Sequence, residues 1–565
     1  MRFLLGRLLV VAGLAWSQVE NVSVDFLVLA GDGTQLAVEE DIRVALGKIG
    51  IDVKARILEK EELNAAVVDG DFHMVFADTY GAPYDPHGYL SGWSASTEFH
   101  YQSLTAMEAP LDLLTFPKLV ANVSEEVDGR KRQEKWTTIL RSIHDKVLHV
   151  PLWGKRIPSV VNKARIQNYE PGFQNFDYPL HGIRVAGIKN VTVAPGAQGG
   201  LFESVGQLDP HTYRPNEFFA NNWVYEGLLS YGPEGAIEPA LATSWTIEKK
   251  STEGEVVRFA LREGVTFHDG SAFNCSVVDL NFDHVFALPL REQVHNWYNL
   301  PKYLSDWYCE DDFTFVLETS RPYYPLLQEL TYIRPLRMLS PLGFQEGLKT
   351  SPITQNSCKP SWGTFASTAD PNVTATCAGI AAISGTGPFK FLSRDTDDLT
   401  GRDDSVLFAR HDDYWAGPVD VEYLTVARYD DSSAVKADLL KGHLDMVLGA
   451  GVLSPKDLED IRLNYAESFQ VSHTEPVQNT LAIFNAAKAP TDDIDIRKLI
   501  VHALDKGPII DKHFDSNAEE PAAELFPKTA PYCDVNLVPR FDYDFEKAVL
   551  LKTIMTYKQY EAKKE

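Results

Sequence analysis

The first 160 residues alternate between strand-like and helix-like patterns of apolar positions. Val24–Leu29, Ile51–Leu58 and Phe72–Ala77 are short segments of branched, aromatic or alternating apolar residues, which predict three strands. Between them, Val38–Lys48 and Glu61–Val68 carry apolar residues at helical spacing. Strands separated by short helices predict a parallel sheet with helices on its faces.

A loop dense in aromatic and turn residues, Asp78–His87, leaves the third predicted strand. In parallel sheets, ligands bind beyond the carboxyl ends of the strands, where such loops lie. This position favours a ligand-facing role for the loop. A rigid surface turn is the alternative interpretation.

The pattern changes from about residue 191 to short strands, turns and aromatic residues. Phe259–Gly270 predicts two strands joined by a tight glycine turn. Ser384–Phe389 predicts a turn into a strand rather than a phosphate loop, because it lacks the GK[ST] ending. Strand and helix patterns return at Asp420–Leu448, and helices are predicted at Ile496–Lys506 and from Asp544 to about Tyr560. This arrangement predicts an α/β protein with two lobes, one of which is built from both ends of the chain.

Composition and charge narrow the possible functions. The chain is 44% hydrophobic and has a net charge of −26 with a pI near 5.0, so it has enough apolar residues for a large core and repels phosphate backbones. We expect no nucleic-acid partner. A secreted hydrolase using paired carboxylates such as Asp430 and Asp431 is an alternative, but GxSxG, HExxH and Cys–His signatures are absent from the sequence.

The amino terminus has the pattern of a secretory signal peptide over residues 1–17. Arg7 precedes the apolar run Leu8–Ala15, and the small residue Ser17 precedes the expected cleavage site. Glycosylation sequons lie at Asn21, Asn122, Asn190, Asn274 and Asn372. These features predict export. Cys358 and Cys377 flank a polar loop and either form a disulfide across it or remain free thiols.

Several short motifs resemble one family, the extracytoplasmic solute-binding proteins of family 5, which deliver peptides, nickel and related ligands to ABC importers. GTGP and the REGVxF turn are general to the class, whereas GAPYDPH, YYPxLQEL and AKAPT are similar to its nickel branch. The matching segments are Gly81–His87, Leu208–His211, Val224–Leu228, Arg262–Phe267, Tyr323–Leu330, Gly385–Pro388 and Ala487–Thr491. The resemblance covers nearly the whole chain after the signal peptide.

The order of these segments is circularly permuted relative to the family. Residues 24–185 resemble the family's carboxyl-terminal third and residues 191–555 its amino-terminal two-thirds, with the old termini joined near Gly187–Asn190. The resemblance implies a two-lobe periplasmic-binding-protein type II fold with a hinge, circularly permuted. We expect one lobe at 24–155 and 430–565 and the other at 156–429. A gene-model artefact cut from a tandem array is the alternative explanation of this order.

The resemblance also implies a ligand site between the lobes. Arg334 aligns with the arginine that pairs with a ligand carboxylate, and the other ligand-binding positions are Tyr80, Tyr84, Trp297 and Phe218. The metal-ligating histidine of the nickel branch falls near Ser96–Glu98, and His100 is the nearby candidate metal ligand. A second pocket arginine falls on Val294, which predicts a less anionic or differently shaped ligand.

These matches imply a binding protein rather than an enzyme. It would enclose a metal chelate or short peptide between its lobes for ABC-type uptake, with nickel bound as a chelate the only metal implied. We expect an extracytoplasmic monomer whose partners are its small ligand and an ABC permease. The alternative is a secreted sensor or scavenger that uses the same pocket without an importer.

Overall fold

The structure of the 565-residue chain is a computed structural model. It describes residues 22–197, 200–211, 217–249, 254–286, 299–344, 365–366, 374–375, 380–397, 400–514 and 519–562. The expected signal peptide, Trp297, Val294 and the Cys358–Cys377 pair lie outside these residues. Within them, no helix combines the length and the apolar character needed to cross a membrane.

In the part of the chain that the structure describes, seventeen strands form the main sheets. In chain order they are β1 (Val22–Leu29), β2 (Ile51–Leu58), β3 (Met74–Asp78), β4 (His149–Lys155), β5 (Pro158–Asn162), β6 (Asn190–Ala197), β7 (Ala242–Lys249), β8 (Glu255–Leu261), β9 (Leu304–Asp311), β10 (Thr314–Thr319), β11 (Phe389–Thr396), β12 (Asp403–Arg410), β13 (Tyr423–Ala427), β14 (Met446–Leu448), β15 (Phe469–His473), β16 (Gln478–Phe484) and β17 (Glu520–Pro521). Small hairpins pair Ile166–Gln167 with Arg184–Val185, Leu229–Tyr231 with Ile237–Pro239, and Phe365–Ala366 with Thr374–Ala375, while Gly200–Leu201 pairs with β6.

The helices pack on the faces and at the ends of these sheets. They are Gly33–Gly47, Lys60–Val68, His87–Gly92, Tyr101–Ala106, Phe116–Ser124, Gly129–Lys146, Phe218–Val224, Cys275–Phe286, Leu300–Tyr303, Leu326–Glu329, Ser432–Lys441, Pro455–Asn464, Ile494–Ala503, Lys506–His513 and Phe545–Ala562, with 3₁₀ turns at Pro233–Gly235 and Pro341–Gly343.

The six-stranded sheet is built from both ends of the chain, in the order β2-β1-β3-β16-β4-β17. β1 runs parallel to β2 and β3, as the alternating strand and helix pattern predicts. β16 lies between β3 and β4 and is antiparallel to both, so the sheet is mixed rather than wholly parallel. Every residue of β16 is buried. We call this sheet and its helices the six-stranded lobe.

The eight-stranded sheet has the order β11-β12-β13-β6-β14-β5-β15, with Gly200–Leu201 paired at the side of β6. A separate antiparallel sheet, β7-β8-β10-β9, packs its apolar residues with those of the segment Tyr323–Met338. These two sheets come from the middle of the chain, and we call them together the eight-stranded lobe. The two lobes bear out the expected α/β architecture.

The chain crosses between the lobes at two adjacent connections. β4 ends at Lys155 and β5 begins at Pro158, while β15 ends at His473 and β16 begins at Gln478. The first crossing lies at the expected boundary of residue 155. The second lies well beyond the expected boundary at 429/430, because β14 and β15 hydrogen-bond to β5 and so belong to the eight-stranded sheet.

The structure corrects one local expectation and contains one disulfide in the described residues. Phe259–Gly270 contains the end of β8, a turn with Gly264 at a φ of +74°, and only an isolated bridge from Thr266 instead of a second strand. A disulfide joins Cys275 to Cys309. Because Cys275 begins a helix and Cys309 lies in β9, their partnership depends on tertiary packing. Of the cysteines in the described ranges, Cys533 alone is a free thiol, and it is buried.

Candidate ligand cleft between the lobes

The loop that leaves β3 is held by a buried carboxylate. Asp85 Oδ2 accepts hydrogen bonds from Thr79 Oγ1 at 2.7 Å and from the Gly81 backbone N–H at 3.2 Å. Gly81 has a φ of +81°, a region that favours glycine, so the turn needs this residue. Burial raises the pKa of Asp85 to about 7, although both hydrogen bonds oppose the shift. The Asp85 carboxyl therefore holds the loop in place through these hydrogen bonds, and its pKa lies near neutral pH.

This loop meets the Tyr323–Leu330 segment of the eight-stranded lobe. Gln328 Nε2 donates to the Pro83 carbonyl oxygen. The Tyr84 ring lies against Tyr332, with ring centroids 4.4 Å apart. Two motifs that are far apart in the chain thus form one junction between the lobes.

Arg334 follows this segment and is almost completely buried. Its side chain is 1% exposed, and its guanidinium carbon lies 4.0 Å from the centroid of the Phe218 ring. Phe176 packs edge-on against Phe218, with ring centroids 5.6 Å apart. A guanidinium stacked on an aromatic face keeps its planar donors aligned for a carboxylate. Arg334 thus contacts Phe218, and Tyr84 contacts Tyr332, two residues before Arg334.

A second guanidinium, Arg337, lies beside this region and was not among the sequence-derived candidates. Its Nε donates to the Tyr332 carbonyl oxygen and its Nη2 to Asn222 Oδ1, both at 3.1 Å. Burial lowers the pKa of Arg337, while the nearby carboxyls of Glu226 and Asp177 oppose the shift. In the sequence, only its position three residues after Arg334 indicated that Arg337 could lie near the ligand site.

Tyr80 occupies the outer part of the loop and is 36% exposed. Its hydroxyl donates to Glu98 Oε1 at 2.8 Å, and its ring packs edge-on against Tyr89 with centroids 5.0 Å apart. Burial raises the pKa of the Glu98 carboxyl. A carboxylate therefore occupies part of the Ser96–Glu98 stretch in which the resemblance expects a metal-ligating histidine.

His100 lies in the core of the six-stranded lobe rather than beside Arg334. Its ring is 1% exposed and stacks on Trp93 at 3.7 Å with an interplanar angle of 9°, and His149 packs edge-on at 5.6 Å. Burial holds the pKa of His100 well below its usual range. No group of three or more His, Cys, Asp or Glu suited to a metal occurs in the described residues. This position favours core packing over the expected metal ligation.

Comparison with known proteins identifies the family. A model of the bacterial extracellular solute-binding proteins, family 5, middle region, matches residues 236–563, which is more than half of the chain. The chain belongs to this family. The expected type II periplasmic-binding-protein fold is confirmed by this membership together with the two-lobed α/β structure.

Curated relatives of this family 5 protein bind different ligands. The nickel-binding periplasmic protein of Escherichia coli is 28% identical over 348 residues, covering 62% of this chain and 58% of that protein. Heme-binding protein A of Haemophilus influenzae is 25% identical over 58% of this chain and 55% of its own length. The dipeptide-binding protein of Escherichia coli is 24% identical over 64% of each chain. The family 5 chain therefore spans between 55% and 64% of the length of these relatives.

Among solved structures, NikA from Brucella suis in complex with Fe(III)-EDTA is similar to this family 5 protein. The TM-score is 0.49 and the sequence identity 26%, over 64% of this chain and 63% of that one.

Proposed function

We propose that this family 5 protein encloses a small solute between its two lobes and delivers it to an ABC-type importer. The observation that carries the proposal is the buried Arg334 guanidinium stacked on Phe218, at the junction where the Tyr84 loop of the other lobe packs. A planar guanidinium matches a carboxylate with two parallel hydrogen bonds. Aromatic walls around one such group suit a metal chelate or a short peptide.

The proposed mechanism is reversible binding without bond breaking. The ligand carboxylate pairs with Arg334, and closing of the lobes about the two crossings near Lys155 and His473 covers it with the Tyr84 loop. Removing water strengthens the charge pairing, because the effective dielectric falls. Nickel, if carried, would enter as part of the ligand.

Calorimetric titration of residues 18–565 tests the proposal. One titrant is nickel with free histidine and the other is a pool of di- and tripeptides. We expect saturable binding of one of them, and a loss of affinity of about tenfold to a hundredfold in R334K, because a lysine ammonium lacks the planar fork. The matched control is R540K, which changes an exposed arginine paired with Asp542. Absence of saturable binding to both titrants, or turnover of the bound compound, would contradict the proposal.

We also propose an extracytoplasmic location and an ABC permease as partner. The family membership and the signal-like residues 1–17 support the location. Co-purification of a membrane permease with the tagged chain is the expected result. Secretion of a ligand-binding chain that associates with no permease would favour the sensor or scavenger instead.

The permuted order remains part of the proposal. Residues 22–155 lie before the family match, yet β1, β3 and β4 share one sheet with β16 from inside it. The last helix also reaches the start of β2, the strand next to β1, because Lys552 donates to the Ile49 carbonyl oxygen and Val22 of β1 pairs with Ile51 of β2. Joining these ends and opening the chain at Gly187–Asn190 should give a protein that folds with an unchanged melting temperature. Opening it inside β6 is the control and should abolish folding.

A further inference from the structure

Three buried polar side chains connect the lobes beside the cleft. His87 Nε2 lies 3.0 Å from Tyr323 Oη, and Tyr323 Oη lies 2.5 Å from Glu329 Oε1. Each of the three residues is at most 2% exposed. His87 begins the helix after the Gly81–His87 loop of the six-stranded lobe, whereas Tyr323 and Glu329 belong to the other lobe. The chain of contacts therefore crosses the lobe boundary.

The donor and acceptor of each hydrogen bond among these three residues can be assigned in one consistent way. The Glu329 carboxylate accepts from the Asn299 N–H at 2.9 Å, from the Leu300 N–H at 2.7 Å and from the Tyr323 hydroxyl. The Tyr323 hydroxyl donates its proton to Glu329, so the Tyr323 oxygen must accept a hydrogen bond from His87. This requires that the neutral imidazole of His87 carries its proton on Nε2. Burial lowers the pKa of His87 to about 3, so the ring is neutral at physiological pH.

This direction leaves His87 Nδ1 buried, and it has no hydrogen-bond partner in the described residues. The Tyr323 hydroxyl is then the polar contact that offsets the burial of the imidazole. Each separation of the lobes would break the His87–Tyr323 bond, whereas the bonds of Glu329 to Tyr323, Asn299 and Leu300 stay within one lobe. Among the contacts of these three residues, the His87–Tyr323 bond is therefore the one that crosses between the lobes, beside the Gln328–Pro83 bond and the Tyr84–Tyr332 contact.

We infer that His87, Tyr323 and Glu329 form an interlobe latch that holds the ligand cleft closed. Glu329 is the positioning residue, because it orients the Tyr323 hydroxyl, and His87 is the contact that breaks on opening. The inference rests on the proposed function, which requires the lobes to move. It also connects the GAPYDPH and YYPxLQEL motifs, because the histidine of the first contacts the tyrosine of the second, which in turn donates to the glutamate.

Double electron–electron resonance measures the latch without any ligand. Nitroxide labels at E134C and E422C, both exposed and on different lobes, report the separation of the lobes. We expect a major short-distance and a minor long-distance population in the wild-type chain. Y323F should raise the ratio of open to closed chains about fivefold, since it removes one hydrogen bond between neutral groups that crosses between the lobes.

Y308F is the matched control. It removes a tyrosine–glutamate hydrogen bond of 3.1 Å that lies inside the four-stranded sheet, between Tyr308 and Glu318, and should leave the distances unchanged. H87M breaks the latch from the other lobe and gives an independent measurement. Its effect and that of Y323F should not add in the double variant, because both remove the same bond.

An unchanged distance distribution in both Y323F and H87M would contradict the latch, but it would not contradict the proposed solute binding. Fully additive effects of the two substitutions would also overturn it. A single fixed distance in the wild type and every variant, with solute present or absent, would contradict the lobe movement of the proposed function as well.

Discussion

The buried carboxyl of Asp85 makes the stability of the six-stranded lobe depend on pH. Its pKa of about 7 in the folded chain compares with about 3.9 for an unperturbed aspartate. Because the folded state binds the proton more tightly, unfolding releases it between these two values. The contribution of Asp85 to stability should therefore be greatest below about pH 4 and fall as the pH rises towards 7.

The size of the effect follows from the difference between the two pKa values. About three pH units at 1.36 kcal/mol each give a loss of about 4 kcal/mol in the free energy of unfolding. Asp85 is 1% exposed, so solvent screening reduces it little. In D85N the side chain does not titrate, and this part of the pH dependence should disappear.

Hydrogen-exchange mass spectrometry of peptides from β3 measures the prediction, because exchange in a central strand reports opening of its own lobe. The free energy of opening of the wild type minus that of D85N should fall by about 4 kcal/mol between pH 4 and pH 7.5. D52N is the control, since Asp52 is exposed on β2. Parallel curves for wild type and D85N, within about 0.5 kcal/mol, would refute the reasoning.

Three further substitutions give distinct expectations. R334K should keep the fold but weaken solute binding about tenfold or more in calorimetry, because it removes the planar donors that stack on the aromatic ring. H100F keeps the stack on Trp93 and removes a buried nitrogen that has no partner in the described part of the chain, so urea denaturation should show unchanged or higher stability and H100F should bind the same titrant as the wild type with unchanged affinity. C275S opens a disulfide with a sequence separation of 34 and should cost about 4 kcal/mol of stability in the same assay. Weaker solute binding in H100F than in the wild type, or less than about 1 kcal/mol lost in C275S, would contradict these two expectations.

Local patterns predicted most elements but not their neighbours. Val38–Lys48 was expected as a helix, and the helix begins earlier, at Gly33, because the Asp32 side chain caps it by accepting from the Gln35 N–H. Ile496–Lys506 was expected as one helix, whereas one helix ends at Ala503 and another begins at Lys506. Sheet order depends on distant pairing, so nothing in the sequence of β3 or β4 indicated that β16 lies between them.

Candidate site residues could be named from the sequence where a motif anchored the alignment. Tyr84 lies in the GAPYDPH motif and Arg334 lies four residues after the YYPxLQEL motif, and in the structure Tyr84 packs on Tyr332, two residues before Arg334. His100 was a candidate metal ligand only through an alignment in which the position of a gap in this loop could be chosen. In the structure, its ring stacks on Trp93 instead. Arg337 donates to Asn222, which is far away in the sequence, so the residues around Arg337 did not indicate its position near the cleft.

The central position of β16 has a consequence for synthesis on the ribosome. β3 and β4 emerge early, but the strand that separates them is made more than 300 residues later. Until then the nascent chain presents apolar strands with unpaired backbone groups, which is a risk for aggregation. The lobe that starts first is thus completed last. Expression of this chain should depend on chaperones more strongly than that of a version reopened at Gly187–Asn190, in which all these strands would be translated within one continuous stretch.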